Sequence, residues 1–133
     1  MIKVIYGEKG TGKTKELISL VNKATEETKG AVVCIEKGDK LRFDVTSKAR
    51  LIDTDSYGIA DAEKLTGFIA GILASNSDIT DVFVDSSLKI CGNDVSAFET
   101  LLKDLEPVVA GVNLVMTVSI ATEACPDTIK AYT

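Results

Sequence analysis

Apolar residues along the chain follow two alternating patterns: short continuous runs, and stretches where they recur three and four positions apart. Ile2–Tyr6 is a run rich in β-branched residues that ends at Gly7, and it predicts a strand. From Thr14 to about Thr28, Leu17, Leu20, Val21 and Ala24 keep the spacing of one helical stripe, with Gly30 as the expected stop. Ala31–Ile35 predicts a second strand. Leu41–Val45 alternates apolar and charged residues, which suggests a half-exposed strand in a hairpin with Arg50–Asp53. Asp61 is positioned to cap a helix running to about Ser75, with Ala62, Leu65, Ile69, Ile72 and Leu73 as its apolar set. Gly67 and Gly71 within it predict a close packing contact. Val82–Asp85 is a further apolar run. Asn93 or Asp94 can cap a helix to about Leu105 that carries Val95, Phe98, Leu101, Leu102 and Leu105 and breaks at Pro107. Val112–Ile120 predicts the last clear strand, and Asp127–Thr133 fits either a helical turn or an edge strand.

Continuously apolar strands are buried on both faces, and here they alternate with amphipathic helices. The expected fold is therefore α/β, a three-layer sandwich with a mostly parallel sheet. The 133 residues contain no linker and no repeat, so one domain over 1–133 is expected. No apolar run approaches the roughly 18 residues of a membrane helix. The first seven residues lack the features of a signal peptide. Together these predict a cytoplasmic protein without a membrane partner.

Composition removes several chemistries. There is no histidine, which excludes Ser-His-Asp and Cys-His catalysis and any His-ligated metal. Cys34, Cys91 and Cys125 form no C-x-x-C pair, so they are expected to be small buried apolar residues and not zinc or disulfide groups. The net charge of −5 is uneven: residues 1–50 carry 11 basic and 7 acidic groups, residues 51–133 carry 4 and 13. An acidic whole argues against a nucleic-acid partner, whose binding rests on phosphate neutralisation. The basic first half suits a smaller polyanion such as a nucleotide.

Gly7-Glu8-Lys9-Gly10-Thr11-Gly12-Lys13-Thr14 matches G-x-x-x-x-G-K-[ST] without a mismatch, with a predicted strand before it and a helix after it. Gly7, Gly10 and Gly12 let the backbone curl around a phosphate with no Cβ in the way. The loop's N–H groups then form an anion nest, reinforced by the dipole of the following helix. Lys13 can reach the β- and γ-phosphates, and the Thr14 hydroxyl can ligate Mg²⁺.

On these residues the chain resembles the P-loop NTPases, whose Walker A motif corresponds to Gly7–Thr14. Asp81-Val82-Phe83-Val84-Asp85 is similar to their Walker B motif, an apolar strand ending in Asp. The resemblance implies Mg²⁺ held by Thr14 and, through water, by Asp85 opposite it, phosphates held by the Gly7–Thr14 loop, and Lys13 and Asp85 as catalytic residues. Gly7–Leu17 and Val82–Asp85 also look somewhat like thymidine kinases. The chain lacks their Cys-rich zinc segment and is short for their nucleoside lasso, and its only arginines are Arg42 and Arg50. It also lacks the histidine motifs of the retraction ATPases of twitching motility.

Many P-loop ATPases follow the Walker B Asp with Glu, and this chain has Ser86 and then Ser87. Glu36, Asp53 and Asp55, at strand ends, are the candidate substitutes for orienting water. Thr117 and Ser119 are similarly placed to the polar sensor of RecA/AAA-type cores. Lys37, Lys40, Arg42, Lys48 and Arg50 crowd one stretch, which suits a solvated hairpin, a partner surface, a phosphate clamp or an arginine finger for a neighbouring subunit. The expected activity is binding of ATP or another nucleoside triphosphate with Mg²⁺ and slow hydrolysis. The alternatives are a non-hydrolysing nucleotide-sensing subunit and a small-molecule kinase of nucleoside type. The small core leaves room for a protein partner or self-association.

Overall fold

The continuous apolar runs become the interior of a single sheet in the computed structural model, which describes residues 1–133. The strands are β1 (Ile2–Gly7), β2 (Ala31–Glu36), β3 (Ala49–Asp53), β4 (Ile79–Val84) and β5 (Asn113–Ser119). Their spatial order is β1-β5-β4-β2-β3, and every neighbouring pair is parallel. Between them run α1 (Lys13–Glu27), α2 (Ala62–Ser75), α3 (Ser87–Ile90) and α4 (Val95–Leu105), and α5 (Asp127–Lys130) follows the last strand. Thr54–Tyr57 and Thr122–Ala124 are short 3₁₀ turns.

Side chains alternate across each strand, so one strand feeds two cores. On one face Val33, Ile35, Val82, Val84, Leu114 and Met116 meet the apolar sides of α2 and α4, including Leu65, Ile69, Phe98 and Leu102. On the other, Val32, Cys34, Phe83 and Val115 meet Leu17 and Val21 of α1. The sheet is thus covered by helices on both faces. Asp61 and Asp94 cap α2 and α4 by accepting from the N–H groups of Lys64 and Ala97, at 2.8 Å and 3.0 Å. No helix is long and apolar enough to cross a membrane.

Four expectations are corrected. Leu41–Val45 is a pair of turns and not a strand. Asp44 and Val45 both donate their N–H to the Leu41 carbonyl, which brings Leu41 and Val45 inward and leaves Phe43 85% exposed. In a strand those three side chains would share a face. No hairpin forms with residues 50–53, because β3 pairs parallel with β2. Gly30 does not stop α1 through a left-handed turn; the helix closes at Thr28, whose N–H reaches the Ala24 carbonyl. Gly30 is needed for another reason, since a Cβ there would lie 2.2 Å from the Asp78 carbonyl oxygen. Gly67 and Gly71 mediate no packing: both are exposed, and a Cβ at either would meet nothing within 4 Å. The end of the chain resolves to a helical turn, α5, and the Tyr132 carbonyl accepts from Val4 N–H along the outer edge of β1 at 2.9 Å.

Candidate functional site

Parallel strands carry their loops to one end of the sheet, and the strand order decides which loops meet. Residues 8–12 link β1 to α1. β5 separates β1 from β4, and its Ser119 lies opposite Gly7. β2 flanks β4 on the far side, so Glu36 and Asp85 end adjacent strands.

The Gly7–Thr14 loop is held in its curve by its own groups. Gly10 and Gly12 sit at φ +85° and +87°, where a side chain is strained. The Glu8 carbonyl accepts from the Thr11 hydroxyl and from the Lys13 ammonium, both at 2.7 Å. Burial pushes the Lys13 ammonium below the ordinary lysine range, and the nearby Asp85 charge pulls it back up. Lys13 is therefore a poorly hydrated cation whose present partner is a neutral carbonyl.

Asp85 is buried and is gripped from two sides. The Thr14 hydroxyl lies 3.1 Å from both carboxylate oxygens, across a sequence separation of 71 residues. The Thr117 hydroxyl donates to Oδ1 at 2.7 Å and accepts from the Ser86 N–H at 2.8 Å. Ser86 is in the left-handed region at φ 54°, which turns the chain sharply out of β4 into α3. Thr117 thus ties the carboxylate to the strained turn that follows it.

These residues line a cavity of about 500 Å³. It receives Lys9, Gly10, Gly12, Lys13 and Thr14 from the loop, with Asp85, Ser86, Thr117 and Ser119 opposite. Gly7, Glu8 and Thr11 line a second cleft of about 520 Å³ on the loop's other flank, with Tyr6, Glu16 and Glu123. Lys13 reaches both. Thr14 and Asp85 present only oxygen donors, which suits a hard cation such as Mg²⁺. The two are hydrogen-bonded to each other at 3.1 Å, so a cation at this corner would meet the Thr14 hydroxyl directly and the Asp85 carboxylate through water. No group of three or more His, Cys, Asp or Glu side chains gathers anywhere. An ion here would therefore take its remaining ligands from water and phosphate, as Mg²⁺ commonly does.

Of the three acids considered for orienting water, only Glu36 lines the cavity. Its two oxygens accept from the Lys40 and Leu41 N–H groups at 3.0 Å and 3.1 Å, so the carboxylate fastens the following turns. Burial raises its pKa, opposed by those two N–H groups. Asp53 instead accepts from the Gly38 and Asp55 N–H groups, and Asp55 pairs with Lys37 at 2.7 Å. Both lie outside the cavity. Within the basic stretch, Lys37 and Lys40 line it, while Arg42 pairs with Asp39 and stacks over Phe43. All three cysteines are free and buried, and burial pushes the Cys34 and Cys91 thiols up to about 12, which leaves them protonated and unreactive.

Sequence reasoning missed Lys89 and Asn93, which also line the cavity. Lys89 lies in α3 and Asn93 in the turn after it, a segment too short to show a helical period. The one signal was the four-residue step from Asp85 to Lys89, one helical turn. No protein-family model matches the chain, and no curated protein matches it.

Proposed function

We propose that the chain binds a nucleoside triphosphate, ATP or another, together with Mg²⁺, and hydrolyses it slowly. It would then be a small relative of the P-loop NTPases. The carrying observation is the approach of Thr14 and Asp85 to 3.1 Å beside the cradle of residues 7–14. A glycine turn alone would not require a hydroxyl from the helix start to meet a buried carboxylate on a non-adjacent strand.

On this reading the loop N–H groups hold the phosphates. The Lys13 ammonium exchanges the Glu8 carbonyl for phosphate oxygens, a stronger charge-assisted partner. Thr14 and Asp85 hold the cation, and Thr117 keeps Asp85 oriented. Mg²⁺, when bound, neutralises charge on the β- and γ-phosphates. Tyr6 is the one aromatic lining either cavity, and it is available to stack on a base.

The non-hydrolysing sensor remains a second reading, favoured by one observation. The cavity holds no carboxylate free to orient water, because Asp85 and Glu36 are both engaged. Phosphate release from ATP, measured with and without Mg²⁺ in wild type and Asp85→Asn, separates the two. Slow Mg²⁺-dependent release that Asp85→Asn abolishes supports the hydrolase. Mg²⁺-dependent binding with no release above background supports the sensor.

A further inference from the structure

The cavity lining carries a formal charge of +4, two more than the two negative charges of a Mg²⁺-bound nucleoside triphosphate. Six lysines line it: Lys9, Lys13, Lys15, Lys37, Lys40 and Lys89. They face two carboxylates, in a chain whose net charge is −5. Lys13 is bonded to Glu8 and Lys37 to Asp55, while the other four ammonium groups have no hydrogen-bond or ion-pair partner. Lys40 and Lys89 come from the β2–β3 connection and from α3, not from the glycine loop.

Both are delivered by built segments. Lys40 follows the turn fastened by Glu36. Lys89 sits between Ser86 and Asn93, at φ 54° and 61°, the only non-glycine residues with positive φ in the chain. Both of those also line the cavity. Strain of this kind persists where the surroundings enforce it, and it concentrates at ligand clamps. Like charges facing one solvent-filled space repel, so an anion between them relieves an unfavourable field.

We propose that Lys40 and Lys89, which line the cavity from elements other than the glycine loop, form a second anion subsite for the phosphate group of a small phosphorylated molecule. Phosphate is favoured over carboxylate by the donors present. A phosphate monoester carries close to two negative charges at pH 7 and matches two ammonium groups, whereas a carboxylate carries one. The inference rests on the nucleotide-site reading only for what occupies the loop beside it; the second anion rests on the lysines.

The test is calorimetric titration with inorganic phosphate and with glycerol 3-phosphate, on protein saturated with Mg²⁺ and the non-hydrolysable β,γ-imido analogue of ATP. The same titrations are made on Lys13→Ala without nucleotide, which reports the second subsite with the loop disabled. Wild type and Lys13→Ala are both expected to bind. Lys40→Gln/Lys89→Gln should weaken phosphate binding at least tenfold, and by a larger factor than it weakens nucleotide affinity. A preference for the monoester over inorganic phosphate identifies an organic ligand, and the reverse identifies free phosphate. Phosphate binding lost in Lys13→Ala, or unchanged in the double variant, overturns the proposal. So does tighter binding of a thymidine decamer that the double variant abolishes, which would assign the lysines to nucleic acid. Phosphate binding that depends on Lys40 and Lys89, in a wild type that ignores the ATP analogue, would keep this subsite and refute the nucleotide site alone.

Discussion

Replacing Thr117 by Val tests whether the hydroxyl on β5 holds the Asp85 corner together. Valine has nearly the same shape, so packing changes little, and the loss is confined to two hydrogen bonds. The bond to Asp85 is charge-assisted and buried, and such bonds are worth about 1.5–3 kcal/mol. The Ser86 N–H is left without its acceptor, which costs about 1–3 kcal/mol if water does not replace it. These effects share one hydroxyl and do not add fully, so a net loss of about 3 kcal/mol is expected. For a chain of this length that corresponds to a fall in Tm of about 10 °C. Thr117→Ser keeps the hydroxyl and removes one methyl, at about 1 kcal/mol. Urea unfolding of the three proteins, followed by far-UV circular dichroism because the chain has no tryptophan, measures both values. A valine variant within about 0.5 kcal/mol of wild type, or no less stable than the serine variant, would refute the bracing role.

Three further outcomes follow from the geometry. Gly30→Ala is expected to cost about 3 kcal/mol or more, because its Cβ would collide with the Asp78 carbonyl, whereas Gly67→Ala should stabilise α2 by about 0.5–1 kcal/mol; urea midpoints giving both the same sign would contradict this. Glu36 has a folded pKa raised by burial above the ordinary 4.5, so the folded state holds its proton more tightly. Stability from this group is present below that unfolded value and falls as pH rises through the folded one, so the margin of wild type over Glu36→Gln should shrink as pH rises above 4.5 in urea titrations. Asp53 behaves oppositely: N–H donation from Gly38 and Asp55 lowers its pKa below 3.8, so its contribution is complete above that value and lost as pH falls through the folded one, a dependence that Asp53→Asn should remove.

The layout of the sheet was legible because burial on both faces leaves an unmistakable mark. Val32–Ile35, Val82–Val84 and Leu114–Met116 are apolar throughout and have no polar face to conceal. Helix stripes read equally well, and the caps Asp61 and Asp94 stood where an Asx residue precedes an apolar period. Residues 37–48 misled because alternation over five positions has two solutions. Only long-range partners chose between them: the burial of Leu41 and Val45 against α1, and the Asn22 side chain bonding Asp44 and Thr46. The glycines misled for a related reason. Gly30 is required by a carbonyl from β4's approach, 48 residues away, and nothing local encodes that contact.

The candidate site was legible in its chemistry and less so in its assembly. Gly7–Thr14 and Asp85 carry their pattern locally, and parallel topology brings them together. That Thr117 would brace Asp85 depends on β5 lying between β1 and β4, a strand order the sequence does not declare. Glu36, Asp53 and Asp55 looked alike as strand-end acids. The structure separates them by one strand position, since β2 borders β4 and β3 does not.

The central claim is that residues 7–14 and Asp85 form a working nucleotide site. Calorimetric titration of the purified protein with ATP and Mg²⁺, alongside Lys13→Ala, tests it most directly. The account predicts saturable binding at one site in wild type, dependent on Mg²⁺ and absent from the variant. Binding of equal affinity in Lys13→Ala, or none in wild type, would contradict it.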